Sequence, residues 1–412
     1  PRGDASIPGL QIVSSWKPES PEPVWRREIG AGWSSFAIVN GLAVTLEQRG
    51  PKELVSCYRV EDGKPVWSHA IEARHETTLG GIGPRSTPTI YNGRVYALGA
   101  TGVLRCLAGD TGAPVWQVDV MKECGVTPEE DLYEVAWGRS ASPLVLTQVS
   151  TGEGEVAQDL VIVPGGGPTG GPYVSLLALE AETGKVVGRW GKEQISYATS
   201  IETKLHGIRQ VVTVNQADVS AYDPQTGERL WTYEWPGQSN TSANTSQAVP
   251  VEGNRMFISK GYGGGSALLA VNRSEEGRWR QEELWNEPGL LNTKFTNVVI
   301  HEGYVYGLDD GIFECARLED GKRMWKRGRY GHGQVLRLDE LLLVLTEAGE
   351  VVAVRTNPER HEEAWSFPAI EGKTWNNPAF FAAKVEGKLQ AWLLVRNAQE
   401  AACYRFLVEP KP

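Results

Sequence analysis

Hydrophobic and polar residues alternate over short distances along most of this chain. Pairs of runs rich in β-branched and aromatic residues flank Asn-Gly or Glu-Gly, as in residues 90–96 and 300–306. Such pairs are typical of strands joined by tight hairpin turns. The strongest apolar run, residues 341–345, has the length of a strand and is far too short to span a membrane. The pattern predicts many short antiparallel strands and no membrane-spanning helix.

A second pattern repeats at longer intervals: a polar turn ends in Gly, and Trp follows four residues later. It occurs at residues 60–67, 110–116, 223–231 and 319–325. An Asp or Thr side chain can cap such a turn, and Gly accepts the positive φ that the reversal requires. Trp67 and Trp116 lie 49 residues apart, and Trp285, Trp325 and Trp365 follow one another at intervals of 40. These intervals match four-stranded blades and predict a β-propeller.

Counting the repeats gives an all-β, eight-bladed propeller of four-stranded antiparallel blades, as one domain over residues 1–412. An extended segment over residues 1–22 comes first, and blades are expected at residues 33–72, 85–120, 139–191, 196–236, 244–288, 294–328, 331–368 and 374–408. The last repeat lacks a Trp strand, whereas residues 23–29 supply one with no repeat before it. We expect this N-terminal strand to complete the last blade, which would leave no open sheet edge.

Two repeats depart from the pattern, so seven blades stay an alternative at this point. Val187 stands where Trp is expected, and residues 272–285 replace a clean turn.

Acidic clusters such as residues 129–131 are expected to be solvated loop charge. The formal net charge of −10 and the lack of a Lys/Arg run exclude nucleic acid as a partner. The chain begins at Pro1 without a signal sequence, which leaves the compartment open.

The Asp-x-x-Thr-Gly-x-x-x-Trp repeats resemble those of the PQQ-like (quinoprotein-type) propellers. That family includes quinoprotein dehydrogenases and, more distantly, the propeller subunit of the outer-membrane assembly machinery. The strings at residues 83–88, 261–266 and 372–378 are more particularly similar to uncharacterised propellers secreted by planctomycetes and acidobacteria. The resemblance implies a periplasmic or extracellular protein, but a fold alone does not deliver an activity.

Aligning the first strand of every repeat places two sets of residues on one strand face, which should line the axial channel. The first set, called here the amide–hydroxyl ring, has hydroxyl or amide side chains throughout: Ser35, Thr87, Ser142, Thr199, Gln247, Asn297, Gln334 and Asn377. The second set, called here the mouth ring, lies two residues upstream and consists of Trp33, Arg85, Ser140, Tyr197, Thr245, Phe295, His332 and Trp375. Arg139 and Asn244 precede mouth-ring residues directly.

Two interpretations of the rings stay open. Propeller channels are wet, so the polar residues can simply satisfy one another and ordered water. Alternatively, aromatic faces stack on sugar or quinone rings while Arg and amide groups orient polar atoms, which predicts a ligand site. Under the second interpretation the ligand-binding residues are Trp33, Arg85, Arg139, Tyr197, Asn244, His332, Trp375 and Asn377.

A quinone-dependent dehydrogenase would need further groups. The resemblance implies PQQ with calcium, which calls for oxygen ligands and a general-base carboxylate. Neither ring contains Asp or Glu, and Asp309-Asp310 fits a hairpin turn better than a metal site. The chain has no adjacent Cys pair and no Cys-x-x-Cys-His haem motif. PQQ with calcium is therefore disfavoured as a cofactor, and neither catalytic residues nor metal ligands are predicted.

Three functional hypotheses result. The leading one is a non-enzymatic secreted or periplasmic propeller that binds a small molecule or carbohydrate at the channel mouth. The second is a PQQ-dependent alcohol or sugar dehydrogenase, which rests on family analogy. The third is a protein-interaction scaffold in envelope assembly, which would use loop surfaces rather than the channel.

Overall fold

Eight sheets surround a common axis in the computed structural model, which describes residues 5–12, 21–150, 156–239 and 241–411. Each of the eight is built around four antiparallel strands, so the molecule is an eight-bladed β-propeller. This confirms the predicted fold and rules out the seven-bladed alternative.

The chain begins with three short strands, β1 (Ser6–Ile7), β2 (Leu10–Ile12) and β3 (Trp25–Glu28). Blade 1 contains β4 (Ala37–Val39), β5 (Leu42–Arg49), β6 (Lys52–Arg59) and β7 (Pro65–Glu72). A small hairpin follows, made of β8 (Glu76–Thr77) and β9 (Gly81–Ile82). Blade 2 contains β10 (Thr89–Tyr91), β11 (Arg94–Leu98), β12 (Val103–Ala108) and β13 (Pro114–Asp119).

An insertion of two short helices precedes blade 3: α1 (Val120–Glu123) and α2 (Pro128–Glu134). Blade 3 contains β14 (Leu144–Val149), β15 (Gln158–Gly166), β16 (Val174–Glu180) and β17 (Val186–Trp190). Blade 4 contains β18 (Ile201–Leu205), β19 (Ile208–Val214), β20 (Asp218–Tyr222) and β21 (Arg229–Glu234). Within the described ranges, neither helix has the length and apolar character needed to cross a membrane.

Blade 5 contains β22 (Val249–Val251), β23 (Arg255–Lys260), β24 (Gly265–Arg273) and β25 (Trp279–Glu287). Blade 6 contains β26 (Val299–His301), β27 (Tyr304–Asp309), β28 (Ile312–Arg317) and β29 (Arg323–Arg329). Blade 7 contains β30 (Gln334–Leu338), β31 (Leu341–Leu345), β32 (Glu350–Arg355) and β33 (Glu363–Pro368). The last strands are β34 (Ala379–Val385), β35 (Lys388–Arg396), β36 (Glu400–Phe406) and β37 (Val408–Pro410).

The Trp residues of the repeat join each blade to the next. Trp67 in β7 donates its indole N–H to the carbonyl of Gly109 at 3.0 Å, and Trp116 in β13 bonds the carbonyl of Ala181 at 3.0 Å. The ring of Trp67 covers Gly112, where an added Cβ would lie 2.4 Å from the indole. The turn requires Gly there because φ is +70° and because a side chain would displace the Trp of the preceding blade.

The two unusual repeats reach the same architecture by different contacts. In blade 3 Val187 replaces the expected Trp, but Trp190 packs against Gly227 of blade 4, where an added Cβ would lie 2.2 Å from its ring. In blade 5, despite the irregular stretch at residues 272–285, Trp285 donates its indole N–H to the carbonyl of Leu318 in blade 6 at 2.8 Å. Both blades keep four strands, which is why the count stays at eight.

The N-terminal strand completes the last blade, as the sequence predicts. β3 pairs with β36, with Trp25 opposite Cys403, so the order of strands in blade 8 is β3-β36-β35-β34. Trp25 also donates to the carbonyl of Val60 in blade 1 at 2.7 Å and covers Gly63 there. One strand therefore seals blade 8 and joins it to blade 1.

The expected N-terminal segment, residues 1–22, lies partly outside the described residues, which omit 1–4 and 13–20. β1 runs parallel to β30 and adds a fifth strand to blade 7, while β2 pairs with β37. Ala5 and Ser6 line a second cavity of about 770 Å³, on the far side of the amide–hydroxyl ring from the mouth ring. Ala5 and Ser6 thus lie at one end of the channel.

Candidate functional site

A cavity of about 520 Å³ occupies the other end of the channel. All eight residues of the mouth ring line it, together with six of the amide–hydroxyl ring. These residues meet because each blade contributes the same short segment, where the chain enters its first strand at the axis. The structure thus brings six of the predicted ligand-binding residues to one cavity: Trp33, Arg85, Tyr197, His332, Trp375 and Asn377.

The amide–hydroxyl ring forms a belt of hydrogen bonds between neighbouring blades. The backbone N–H of Ser35 donates to Thr87 Oγ1 at 3.1 Å, and that of Thr87 donates to Ser142 Oγ at 3.1 Å. Ser142 repeats the contact with Thr199 at 3.0 Å, and an amide makes it between blades 5 and 6. These polar side chains therefore satisfy neighbouring backbone groups, as the first interpretation of the ring expects.

Aromatic rings form a continuous wall around the cavity. The ring centroids of Trp33 and Trp375 lie 4.8 Å apart, and that of Phe295 lies 4.7 Å from Trp375. Trp137, from the insertion before blade 3, lies 5.8 Å from Phe295 and stacks on Tyr197 at 5.2 Å. All these distances fall in the range of about 4.5 to 7 Å in which aromatic pairs stabilise one another. The aromatic rings of the wall therefore stabilise one another by packing, and they offer flat apolar faces to a ligand.

Two residues of this wall have a backbone conformation that non-glycine residues rarely adopt. Phe295 has a φ of +57° and Tyr262 a φ of +60°, both in the left-handed region. Such conformations cost about 1 to 3 kcal/mol each and cluster at functional sites. The N–H of Phe295 bonds Thr245 Oγ1 at 3.3 Å, and its carbonyl accepts a bond from Gln334 at 2.6 Å. The fold thus holds the Phe295 ring in the cavity although the backbone of this residue would favour a negative φ.

One carboxylate, Glu347, belongs to the cavity wall and comes from the turn between β31 and β32. It accepts the indole N–H of Trp375 at 2.8 Å and the backbone N–H of His332 at 3.0 Å. Lys373 Nζ lies 3.8 Å from this carboxylate and 3.6 Å from the ring centroid of Trp375. Burial raises the pKa of Glu347, but these hydrogen bonds and the charge of Lys373 hold it below its usual value. Glu347 therefore orients Trp375 as an anion at neutral pH.

Arg85 supplies a cation beside the aromatic wall. Its guanidinium donates to the carbonyl of Gly81 at 2.9 Å and to that of Gly83. Burial lowers the pKa of Arg85 to about 10, so it stays charged at neutral pH. Glu53, whose charge acts on Arg85, is already bonded to Arg105 at 2.5 Å. Among the described residues, no carboxylate forms an ion pair with Arg85.

His332 and Tyr197 enter the cavity as neutral groups. Burial lowers the pKa of His332 and raises that of Tyr197 to about 12. The hydroxyl oxygen of Tyr197 accepts the backbone N–H of Trp137 at 3.3 Å, while His332 meets Phe295 edge-on at 5.7 Å. Both side chains are tied to the aromatic wall rather than poised for proton transfer.

Two residues of the predicted ligand set lie outside the cavity lining. Arg139 forms a buried ion pair with Asp131 at 2.7 Å, so Asp131 is not the solvated loop charge that the sequence suggested. Asn244 is fully buried and donates to the carbonyl of Trp235 at 3.0 Å. Each directly precedes a mouth-ring residue, and consecutive side chains of an extended segment point to opposite sides. They stabilise the loops behind the wall.

Five lining residues that bear aromatic rings or charge do not belong to either ring: Trp137, Tyr262, Lys294, Glu347 and Lys373. They come from the insertion, from turns between strands and from positions next to mouth-ring residues. An alignment of first strands omits all three sources. A search of the loops that enter or leave these strands for aromatic and charged residues would have found them.

The lining does not match a calcium–quinone centre. Calcium takes about six to eight oxygen ligands, with carboxylates prominent among them. Among the described lining residues Glu347 is the sole carboxylate, and both of its oxygens already accept hydrogen bonds. A general-base carboxylate for alcohol oxidation would have to be the same group. The donor set thus suits binding better than this metal-assisted chemistry.

Comparison with known proteins places the chain in a family. A family model described as outer membrane protein assembly factor BamB matches residues 10–153 and 134–327. The chain belongs to this BamB family of PQQ-like propellers. The protein named outer membrane protein assembly factor BamB in Shewanella oneidensis is 20% identical over 368 residues, which cover 87% of this chain and 84% of the relative.

A second relative of this BamB-family chain is the quinoprotein alcohol dehydrogenase PedH of Pseudomonas putida. It is 22% identical over 263 residues, which cover 61% of this chain but 36% of PedH. Among solved structures, BamB from Moraxella catarrhalis has a TM-score of 0.55 at 15% identity, covering 96% of this chain and 97% of that one. A quinohemoprotein alcohol dehydrogenase from Comamonas testosteroni reaches 0.58 at 13%, covering 97% and 76%. Likeness at such identities shows a shared propeller scaffold and no more.

Proposed function

We propose that this propeller binds a small ligand at its channel mouth and acts as a non-enzymatic binding protein of the periplasm or the extracellular space. The observation that carries the proposal is the cavity of about 520 Å³, which is walled by aromatic rings in mutual contact and contains Arg85. Ligand sites usually have volumes of about 300 to 1,000 Å³ and combine apolar walls with a few placed polar groups. Sugar-like and quinone-like rings both suit such walls.

The wall is also built in a way that favours binding over mere packing. Trp375 is oriented by Glu347, and Phe295 is held in a strained conformation. A site that keeps its aromatic faces in place before the ligand arrives loses less entropy on binding. The location rests on the relatives, because one of them is named an outer membrane protein assembly factor.

A thermal-shift screen tests this proposal. The probes are neutral and acidic mono- and oligosaccharides, and PQQ with Ca²⁺. A ligand that binds the folded state raises the melting temperature in proportion to RT ln(1 + [L]/Kd). We expect a shift that Trp375→Ala abolishes and that Trp279→Ala, a change in β25 outside the cavity, preserves. A shift that survives Trp375→Ala would place the ligand elsewhere, and no shift with any probe would refute the proposed site.

A dehydrogenase function is the alternative that PedH suggests, and the same screen separates it. Reduction of an artificial electron acceptor by the PQQ-loaded protein with an alcohol or sugar would establish it. Binding without turnover would leave the non-enzymatic function in place. The single engaged carboxylate of the cavity is the reason to expect binding without turnover.

A scaffold role in envelope assembly is favoured by a separate observation. Three large apolar side chains are well exposed: Leu79 at 74%, Leu132 at 50% and Tyr133 at 74%. Leu79 lies in the turn of the small hairpin and the other two lie in α2, and His75 and Gly138, which flank these two elements, lie against each other. Exposed apolar groups that cluster mark protein-binding surfaces. If Tyr133→Ser abolished capture of an envelope protein while Trp375→Ala did not, the scaffold role would be supported independently of the cavity.

A further inference from the structure

We propose that the ligand of the channel mouth is an acidic carbohydrate, a hexuronate or an oligosaccharide that contains one, and that Arg85 receives its carboxylate. This inference rests on the proposed ligand site and names the chemical class that the site selects. The inference is drawn from the distribution of charge among the cavity residues and from the hydroxyl and amide groups at the cavity floor.

The guanidinium of Arg85 has hydrogen-bonding capacity left over. It carries five N–H groups in a planar fork that matches a carboxylate. Two of these N–H groups donate to backbone carbonyls, those of Gly81 and Gly83. Both carbonyls belong to the loop that leads into Arg85, so they hold the side chain in place without neutralising its charge. The position is prepared for an anion.

The acids around Arg85 are committed elsewhere. Glu53 and Arg105 form an ion pair with side chains only 1% exposed, and Glu53 also accepts the backbone N–H of Ala100 at 3.2 Å. Glu347, across the wall, is engaged by Trp375 and His332. A half-buried cation without an anionic partner is energetically unfavourable, and a ligand carboxylate would remove that cost.

The other two cations of the cavity already have partners. Lys294 Nζ lies 2.6 Å from Asp310, and Lys373 Nζ lies 3.8 Å from Glu347. Their charges are balanced by these carboxylates, so neither lysine offers a vacant pairing position. The excess charge of the mouth therefore resides at Arg85, and one carboxylate balances it.

Aromatic groups lie directly beside this cation. Trp33 donates its indole N–H to the carbonyl of Gly80 at 2.6 Å. A Cβ added to Gly80 would lie 2.7 Å from Arg85 Nη2 and 3.6 Å from the Cβ of Trp137. The loop at Gly80 thus contacts the guanidinium and both Trp residues, and a pyranose ring that stacks on one of these indoles would lie close enough to present its carboxylate to Arg85.

The floor of the cavity favours a ligand rich in hydroxyl groups over a flat aromatic acid. Thr87, Ser142 and Thr199 accept backbone N–H groups, so each hydroxyl hydrogen stays available for donation. Asn377 also lines the cavity there and offers an amide. Several hydroxyl and amide groups at one depth can bond the several hydroxyls of a sugar, whereas an aromatic acid would leave them unpaired.

Isothermal titration calorimetry tests the inference with four probes: glucuronate, its neutral methyl ester, glucose and PQQ. We expect glucuronate to bind at least 10-fold more tightly than its ester and than glucose. Arg85→Gln should abolish this preference and leave weak binding of the neutral sugars. Arg189→Gln is the matched control, because it removes a cation that is paired with Glu123 at 2.7 Å outside the cavity and should change the preference less than 3-fold.

The outcomes separate the inference from the proposed function. The comparison of glucuronate with its ester needs no variant, so it decides the charge preference even if Arg85→Gln does not fold. Equal binding of the two, or binding of PQQ without any uronate binding, would overturn the acidic-carbohydrate class while the mouth site stands. If none of the four probes binds, the inference is refuted, and the wider panel of the thermal-shift screen then decides the site itself.

Discussion

At the scale of single residues, the buried ion pair between Glu53 and Arg105 is the clearest case of mutual dependence. We expect Glu53→Gln to lower the free energy of unfolding by about 3 kcal/mol or more, because it leaves the buried guanidinium of Arg105 without a counter-charge. Urea denaturation at neutral pH measures the change. Glu76→Gln is the control, since Glu76 pairs with Arg74 at 2.6 Å in solvent and should cost less than about 1 kcal/mol. Equal losses in the two variants would contradict the argument.

Some site residues could be predicted from single positions and others could not. Trp33, Arg85 and Trp375 are repeat-equivalent, so aligning eight first strands is enough to bring them to one mouth. Glu347 escapes that alignment because it lies in a turn between later strands. Arg139 lies outside the cavity lining, because a single residue of offset in an extended segment reverses the direction of the side chain.

At the scale of elements, the contact between a turn Gly and the Trp of the preceding blade limits what each turn can accept. Gly112 and Gly93 are both in blade 2 and both have a φ of +70°, but an added Cβ meets Trp67 only at Gly112 and has nothing within 4 Å at Gly93. We expect Gly93→Ala to cost roughly 1 to 2 kcal/mol from backbone strain alone. Gly112→Ala should cost about 3 kcal/mol or more, because displacement of the indole is added.

Equilibrium urea denaturation of both variants measures this difference. Because the backbone angle is matched, the excess cost of Gly112→Ala reports the blade-to-blade contact itself. Indole fluorescence gives a second reading, since a displaced Trp67 would be more exposed to water. The same loss in both variants would mean that the indole adjusts at no cost.

The elements outside the repeat are the hardest to predict from the sequence. The helices of the insertion arise from local signals, including a capping box between Thr127 and Glu130 with Pro128 at the first turn. Repeat counting ignores such signals. The sequence pattern also could not predict that Trp190 takes the role of the Trp expected at position 187. The residue that Trp190 contacts, Gly227, lies in the next blade and becomes its neighbour only after folding.

At the scale of the whole molecule, the seam between blades 8 and 1 differs from the other seams, because the outermost strand of blade 8, β3, comes from the opposite end of the sequence. We expect Trp25→Ala to release β3 and expose the edge of β36, so that size-exclusion chromatography shows oligomers. Trp116→Ala removes an equivalent contact between blades 2 and 3, where no strand comes from a distant part of the chain. Trp116→Ala should therefore destabilise the protein but leave its size-exclusion profile the same as that of the unmodified chain. Oligomers in both variants, or in neither, would show that the seam has no special status.

The ring closure also has a consequence for how the protein is made. Arg26 in β3 bonds Glu400, a residue 374 positions later in the chain. At about 5 to 20 residues per second, a ribosome needs on the order of 20 to 75 seconds to synthesise the intervening polypeptide. Throughout that interval Trp25 has been produced while its partner strand does not yet exist. The growing chain therefore carries an unpaired aromatic strand throughout this interval, and prompt completion of blade 8 or a chaperone keeps that strand from pairing with another segment.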